Sequence, residues 1–325
     1  MILYTARRLV GAAGILLVIC ALTFAVFYLM PADPAQGACG KACSPERIAQ
    51  IRATLGLDQP LPTQFAAYLG GIVAGRTYGS LECGFPCLGF SFQTNQPVWD
   101  ALTSRLPTSA SIAAGAAVLW LLVGCTAGVV AALRRGTVWD RAAMVAALGG
   151  VSLPIYLTAL LSQYVLVVQL GWLPYPREVA LTDDPVGWFQ SMLMPWCTLA
   201  MLYAGVYARI TRSEVLENLG RDYVRTARAK GLPEVTVLRR HALRPALMPV
   251  VTIFGMDLGA LLGGALITES VYGLPGVGKL AADAINSADQ PVILGVTLFA
   301  AAFVVLANVA VDLVYALLDP RVRTA

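Results

Sequence analysis

Long apolar runs, separated by short polar stretches, dominate the hydropathy pattern of the chain. Each run is close to the roughly 20 residues that a helix needs to cross the hydrocarbon core of a bilayer. The pattern predicts six membrane-spanning helices, at residues 9–30, 107–133, 142–170, 192–208, 246–268 and 292–317. Pro154 interrupts the third run, and because proline removes a helix hydrogen bond we expect a kink or tilt there. The predicted fold is an all-α, polytopic membrane protein.

The basic residues predict the orientation of these helices. Short cytoplasmic loops carry an excess of Lys and Arg, and most of the 23 lysines and arginines face the cytoplasm if the N-terminus does. We therefore predict that both termini are cytoplasmic. The first run is longer than the ~7–15 apolar residues of a signal peptide, so residues 1–30 are expected to form a retained first transmembrane helix.

Residues 31–106 form the longest stretch between two predicted spans, and we expect a small extracytoplasmic subdomain there. Ser44 precedes Pro45 and Glu46, a combination typical of a helix N-terminus. The remaining residues, 107–325, are expected to form a core of five transmembrane helices. That core contains one long polar stretch, residues 209–245.

Four cysteines of the predicted subdomain form two C-x₃-C pairs, and they are Cys39, Cys43, Cys83 and Cys87. In an oxidising compartment they allow three disulfide pairings, and their spacing does not choose among these. Zinc or iron–sulfur binding by the thiolates and free thiols are the alternatives.

Composition supports the membrane assignment. Hydrophobic residues make up 58% of the 325 residues, charged residues only 13%, and the mean hydropathy is +0.69. Soluble domains typically have about 25% charged residues, so a soluble globular protein is excluded. The net charge of +4 is small, and no nucleic-acid partner is expected.

The polar stretch between the fourth and fifth predicted spans has a helical pattern. Apolar residues recur in it at spacings of three and four, and they are Leu216, Leu219, Tyr223 and Ala227. Gly231 suits the position after a helix end, where φ is positive, and Pro233 suits the first turn of a second helix. We predict a helix–turn–helix on the membrane surface. A basic segment that binds anionic lipid is the alternative.

This stretch resembles the loop by which permease subunits of binding-protein-dependent ABC importers engage their ATPase. It is most similar to the oligopeptide/dipeptide permease family in the run Asp222-Tyr-Val-Arg-Thr-Ala-Arg-Ala-Lys-Gly-Leu and in His241-Ala-Leu-Arg. The resemblance continues in Leu55–Leu61, Gln96-Pro-Val, Glu269–Gly278, Asp289-Gln-Pro and the tail Asp319–Arg323. The segment Gly75–Ser80 lacks an aspartate that the family usually has there, so no role of that acid is transferred.

The resemblance implies a transport subunit and not an enzyme, located in the bacterial cytoplasmic (inner) membrane and importing oligopeptides or dipeptides. It implies as partners a second homologous permease, two ATPase subunits or domains, an external solute-binding protein, a peptide substrate and membrane lipid. No cofactor is expected on this chain, and ATP and Mg²⁺ are expected in the ATPases. The implied coupling residues are Tyr223, Thr226, Ala227, Lys230, Gly231, Leu232 and His241. The implied binding-protein docking residues are Glu269, Tyr272, Pro275 and Gly276.

Two acidic residues fall inside predicted spans. Asp257 lies midway along the fifth span, where an ionised carboxylate costs ~3 kcal/mol or more unless it is paired or hydrated. It is either a residue of the translocation path or one partner of a helix–helix hydrogen bond. Asp312, near the inner end of the sixth span, is expected to pair with an arginine of the inner side.

No catalytic or metal site is predicted. The segment Gly273–Lys279 matches G-x-x-x-x-G-K, but Leu280 stands where a phosphate loop needs a hydroxyl to hold Mg²⁺. The chain has one histidine, His241. Two function classes compete with the importer. One is a membrane redox or metal-handling protein built on the four outer cysteines, and the other is a secondary carrier that uses Asp257 without an ATPase.

Overall fold

The structure is a computed structural model that describes residues 2–29, 35–36, 43–79 and 81–318. It is mainly helical. The helices are α1 (Ile2–Leu29), α2 (Pro45–Leu55), α3 (Leu61–Ala74), α4 (Val98–Trp120), α5 (Thr126–Leu133), α6 (Val138–Ser152), α7 (Ile155–Gln163), α8 (Pro185–Leu219), α9 (Asp222–Ala229), α10 (Glu234–Thr236), α11 (Arg244–Leu262), α12 (Leu266–Tyr272), α13 (Val277–Ser287) and α14 (Gln290–Leu318). Three π-helical segments continue α4, α7 and α10, at Leu121–Cys125, Tyr164–Gln169 and Val237–Leu243.

Two short antiparallel hairpins correct the all-α prediction. Strand β1 (Arg76–Tyr78) pairs with β2 (Leu81–Cys83), and β3 (Phe90–Ser91) pairs with β4 (Gln96–Pro97). Strands of two or three residues are too short to show an alternating pattern in the sequence. The prediction of a mostly helical chain is otherwise confirmed.

The described residues include five helical stretches long and apolar enough to cross a membrane: Thr5–Val26, Val98–Leu133, Pro185–Leu219, Glu234–Leu262 and Gln290–Leu313. A sixth candidate is the bent pair Val138–Ser152 and Ile155–Gln169. The number of six predicted spans is reached when this pair counts as one span. The prediction of a polytopic membrane protein is therefore confirmed.

Pro154 does more than kink the third span. Helix α6 ends at Ser152, Leu153 is extended, and α7 starts after Pro154 at an angle of 96° to α6. The residue before a proline avoids the helical region, and proline has no N–H for the preceding turn. The predicted kink is a complete helix break.

Several predicted helix ends are wrong. The second span starts at Val98 and not at 107, because the helix continues through Pro107. The fourth extends beyond 192–208 at both ends, to Pro185 and Leu219. The fifth ends at Leu262 and not at 268, before Gly264, which has a φ of +120°. These ends depend on capping and packing that hydropathy does not report.

Two compact units make up the chain, and each is described by itself. The first comprises Met1–Ala110, Gly259–Ser270 and Pro275–Ala325, and the second comprises Ser111–Leu258 and Val271–Leu274. In the first unit α1 packs along α14, and Arg8 of α1 forms an ion pair with Asp312 at 2.8 Å. The prediction that Asp312 pairs with an arginine is confirmed.

The stretch between α1 and α4 contains the predicted helix cap. Ser44 Oγ accepts a hydrogen bond from the Arg47 amide at 3.3 Å, and Pro45 opens α2. Ile51 of α2 packs against Ala35 and partly buried apolar neighbours. A second small core consists of Tyr78, Cys83, Cys87 and Phe90. Helix α2 therefore starts where the sequence predicts and buries its apolar face.

The outer cysteines form disulfides where the structure describes them. Cys83 and Cys87 are bonded to each other within the second small core. Cys43 is also disulfide-bonded, whereas the prediction for Cys39 lies outside the described residues. A site that uses all four sulfurs as thiolate ligands is therefore not formed. In the part of the chain that is described, no cluster of three or more His, Cys, Asp and Glu could hold a metal ion.

A buried carboxylate attaches strand β3 to the start of α14. Ser91 Oγ donates a hydrogen bond to Asp289 Oδ2 at 2.5 Å, and both side chains are buried. Burial raises the pKa of the Asp289 carboxyl above its ordinary 3.8, and the Ser91 hydrogen bond opposes this.

This raised pKa predicts a pH dependence. A carboxyl with a raised pKa in the folded state contributes stability below its ordinary pKa and loses it as the pH rises through the folded value. We expect amide hydrogen-exchange protection factors in β3 to fall between acidic and neutral pH. Asp289→Asn cannot ionise and should remove this dependence. The explanation would be wrong if the variant kept the pH dependence of the wild type.

Candidate functional site

Residues 209–245, the predicted coupling stretch, contain a helix break that the sequence pattern did not show. Helix α8 ends at Leu219, Arg221 is extended, and α9 begins at Asp222. The predicted continuous apolar stripe is therefore wrong, because the break resets the helical phase. Tyr223, predicted to lie on the stripe, is 44% exposed, whereas its neighbour Val224 is 0% exposed.

One side of helix α9 packs against neighbouring segments of the second unit. Val224, Ala227 and Val237 form a small core, and Leu219 at the end of α8 packs against it. Val237 opens the π-helical segment that runs into α11. Ala227, predicted as a coupling residue, is buried here and lets the two segments approach closely. The contact ties α9 to both α8 and α11.

The turn after α9 has the predicted geometry. Gly231 has a φ of +75° and its amide donates to the Arg228 carbonyl at 2.9 Å, while the Leu232 amide donates to the Ala227 carbonyl at 3.4 Å. This is the pattern of hydrogen bonds that ends a helix at a left-handed residue. Pro233 lies just before the first turn of α10, at its N-cap position. Gly231 is therefore confirmed as the glycine that follows the helix end.

An ion pair bridges the same turn. Arg228 Nε donates to both Glu234 carboxylate oxygens, at 3.2 and 3.1 Å. The hydrogen bond raises the pKa of the Arg228 guanidinium, which stays charged. Both side chains are exposed, and solvent screening leaves exposed ion pairs with little net stabilisation. The pair orients α10 more than it stabilises the fold.

The segment from α9 to α10, which we call the elbow, exposes apolar side chains among charged ones. We call coupling surface the exposed set Tyr223, Thr226, Lys230, Leu232 and Val235. Val235, 66% exposed, was missed by the sequence prediction, although its position directly after the charged Glu234 was a usable signal. His241 is half-buried in the following π-helical segment. Exposed apolar residues on a rigid, capped segment are typical of a protein-binding surface.

The predicted docking residue Glu269 is the centre of a buried hydrogen-bond network in the first unit. Its side chain is 0% exposed. Oε1 accepts from Ser109 Oγ at 2.8 Å and from the Ala265 amide at 3.1 Å, and Oε2 accepts from the Lys279 amide at 2.9 Å. Ser109 Oγ in turn accepts from the Val277 amide at 2.8 Å.

This network explains the glycine-rich sequence at the start of α13. A Cβ on Gly276 would collide with the Glu269 carboxylate. Two amides of the segment that resembles a phosphate loop are bound by the chain itself, the Val277 amide by Ser109 and the Lys279 amide by Glu269. Ser109 was missed by the sequence prediction, because it lies 160 residues from Glu269.

The other predicted docking residues are also covered by their own chain. In the second unit the Tyr272 hydroxyl shares hydrogen bonds with Ser162 Oγ at 2.7 Å and Thr198 Oγ1 at 2.6 Å. Gly276 is buried and Pro275 is half-buried. These side chains hold the loop in place, and docking of a binding protein on the loop stays a prediction.

Asp257 is held by a tyrosine of the neighbouring helix. Tyr207 Oη, on α8, donates to Asp257 Oδ2 at 2.7 Å. Asp257 is half-buried and has no ion pair within the described chain. The structure thus contains the helix–helix hydrogen bond that was one of the two predicted roles of Asp257.

Comparison with known proteins identifies the family. Residues 124–324 match the family model "Binding-protein-dependent transport system inner membrane component", and residues 1–113 match its N-terminal companion. A "Putative peptide transport system permease protein" of Brucella abortus is 40% identical over 317 residues, 98% of each chain. The "Dipeptide transport system permease protein" of Alkalihalophilus pseudofirmus is 34% identical over 343 residues, 99% of this chain and 100% of that one. The chain belongs to the family of inner membrane components of binding-protein-dependent transport systems.

Proposed function

We propose that this chain, a permease subunit of an ABC importer, carries peptides across the bacterial cytoplasmic membrane with both termini inside. A second permease completes the translocation path, two ATPase subunits bind ATP and Mg²⁺ beneath it, and an external binding protein delivers the peptide. The names of the relatives support peptide as the substrate.

The elbow formed by α9, the Gly231 turn and α10 supports this function most directly. Its inner side is packed against the end of α8 and the start of the π-helical segment that leads into α11, and its exposed residues form the coupling surface. A segment that receives force from a partner must be rigid, because a flexible one would absorb the motion. The capped turn and the buried Val224 provide this rigidity.

The mechanism follows from these attachments. Closure of the ATPases on ATP would push the coupling surface, and the push would pass through Leu219 to α8 and through Val237 to α11. These helices belong to the predicted fourth and fifth spans. Their tilting would alternate access to the path between the two membrane sides, so the chain carries force and performs no chemistry.

Gly231→Asp tests the coupling role. A Cβ added at Gly231 would meet no atom within 4 Å, so the substitution adds a negative charge at the coupling surface without a steric clash. Asp and Asn tolerate a positive φ better than most residues. We expect Gly231→Asp to lower ATP-driven uptake and substrate-stimulated ATPase activity about fivefold, the equivalent of ~1 kcal/mol of contact energy. Gly231→Asn has the same shape without the charge and is the matched control.

The measurement uses the complete transporter, purified in mild detergent and reconstituted in liposomes. A P-loop ATPase should copurify with the wild type. Normal stimulated ATPase activity in Gly231→Asp would argue against the coupling surface. Peptide uptake by this chain in the absence of any ATPase would contradict the importer and favour the secondary carrier.

A further inference from the structure

The carboxylate of Asp257 has more binding capacity than its own chain uses. Tyr207 occupies Oδ2, whereas Oδ1 accepts no hydrogen bond in the described chain and is not fully buried. A helix–helix hydrogen bond to Tyr207 needs only a neutral acceptor, such as an amide oxygen. The charge of an acid within a membrane span is costly and marks a functional site by default. The open oxygen therefore points to a cationic ligand that comes from outside the chain.

In the second unit, aromatic side chains form a cluster that includes Tyr207, the donor to Asp257. Tyr203 stacks on Trp120 with 4.7 Å between ring centroids, and Trp120 also contacts Tyr207 and Phe254, at 6.0 and 6.3 Å. Trp120 is fully buried, whereas Tyr203 is partly exposed and lies one helical turn before Tyr207, the donor to Asp257. Ring faces attract cations electrostatically. A carboxylate beside ring faces is a combination suited to an ammonium group.

The backbone holds this cluster rigidly. Trp120 directly precedes the π-helical segment Leu121–Cys125, and π-helical turns occur frequently at functional sites. A Cβ on Gly124 in this segment would lie 2.9 Å from the Ala204 carbonyl oxygen of α8. The two backbones are therefore in close contact, which fixes Trp120 relative to Tyr203 and Tyr207.

We propose that Asp257, together with Tyr203 and the Trp120 ring behind it, binds the N-terminal ammonium group of the peptide during translocation. The inference rests on the proposed function and specifies how the path recognises its substrate. An α-amino group is largely protonated at neutral pH, since its pKa is about 7.7–8.0. It is shared by peptides of every sequence, so one carboxylate in the path can serve a varied set of substrates. Tyr207 is a positioning residue that orients the carboxylate.

The test compares a peptide that has a free amino group with the same peptide after N-acetylation. Each peptide is supplied to the reconstituted transporter as a complex with the binding protein. Mass spectrometry first shows that the binding protein is fully occupied by the peptide. We expect the wild type to import the free peptide about tenfold faster than the acetylated one, the size of a charge-assisted hydrogen bond. Asp257→Asn keeps the acceptor for Tyr207 but loses the charge. It should slow the free peptide to the rate of the acetylated one.

Two further variants separate recognition from packing. Asp257→Glu retains a charge and should retain the preference for the free peptide. Tyr207→Phe removes the helix–helix hydrogen bond, and it should slow both peptides by a similar factor while the preference remains.

Each outcome has one meaning. A wild-type preference that survives in Asp257→Asn overturns the ammonium site, as does equal import of the two peptides by the wild type. The absence of ATP-driven uptake of either peptide in the wild type would instead refute the proposed function.

Discussion

Glu269→Ala is expected to be among the most destabilising substitutions in the chain, lowering the free energy of unfolding by about 3–5 kcal/mol. The variant removes the acceptor of the Ser109 hydroxyl and of the amides of Ala265 and Lys279. The Ser109 hydroxyl and the Ala265 amide are buried and the Lys279 amide is partly buried, and each buried donor left without a partner costs about 1–3 kcal/mol. Thermal unfolding in detergent measures the loss, and hydrogen exchange locates it at residues 264–280.

Controls distinguish the network from a general effect of lost charge. Glu269→Gln keeps the size and one acceptor oxygen and should fall between wild type and alanine. Glu178→Ala removes an exposed glutamate and should leave the unfolding temperature unchanged. If Glu269→Ala unfolded at the wild-type temperature with unchanged protection of residues 264–280, the network would not hold the loop.

Asp140→Ala is expected to have the second large effect, a loss of about 1–3 kcal/mol of unfolding free energy. Arg212 donates from Nε to Asp140 Oδ1 at 2.6 Å and from a terminal nitrogen to Oδ2 at 2.9 Å, and the Gly136 amide also donates to Oδ2 at 2.9 Å. Asp140 is only 5% exposed. The alanine variant leaves the half-buried guanidinium of Arg212 without its counter-charge and the Gly136 amide without its acceptor.

A double-mutant cycle measures this pair. Asp140→Ala combined with Arg212→Ala should be less destabilised than the sum of the two single variants, because the second change removes the unpaired charge. Additive losses of unfolding free energy would show that α6 and α8 are held together by packing and not by this ion pair.

The elbow shows which local features a sequence reveals. The glycine after α9 was predicted correctly because its positive φ is a requirement of the local backbone. The predicted stripe of Leu216, Leu219, Tyr223 and Ala227 is not continuous, because the break at Arg221 shifts the helical phase and buries Val224 instead of Tyr223. A period of 3.6 residues is informative only within one uninterrupted helix.

Glu269 and Asp257 show how far a sequence reveals the role of a site residue. Glu269 was selected through the family resemblance, as a docking residue, but its burial and its bond to Ser109 depend on packing of distant segments. Asp257 was selected because a charge inside an apolar run is conspicuous. Its two alternative roles, in the translocation path or in a helix–helix hydrogen bond, depend on Tyr207 and the neighbouring rings, which only the folded chain brings together.

The sequence by itself determined that this is a polytopic membrane protein of a permease family, where most of its spans lie, and where the coupling turn ends a helix. Apolar run length and local backbone requirements are properties of short segments, so they can be read without the fold. Only the tertiary structure decided the break at Pro154, the two hairpins, the Cys83–Cys87 bond, the Glu269 network and the surroundings of Asp257. These depend on which residues distant in the chain become neighbours, and pairwise packing of that kind leaves no periodic trace in a single sequence.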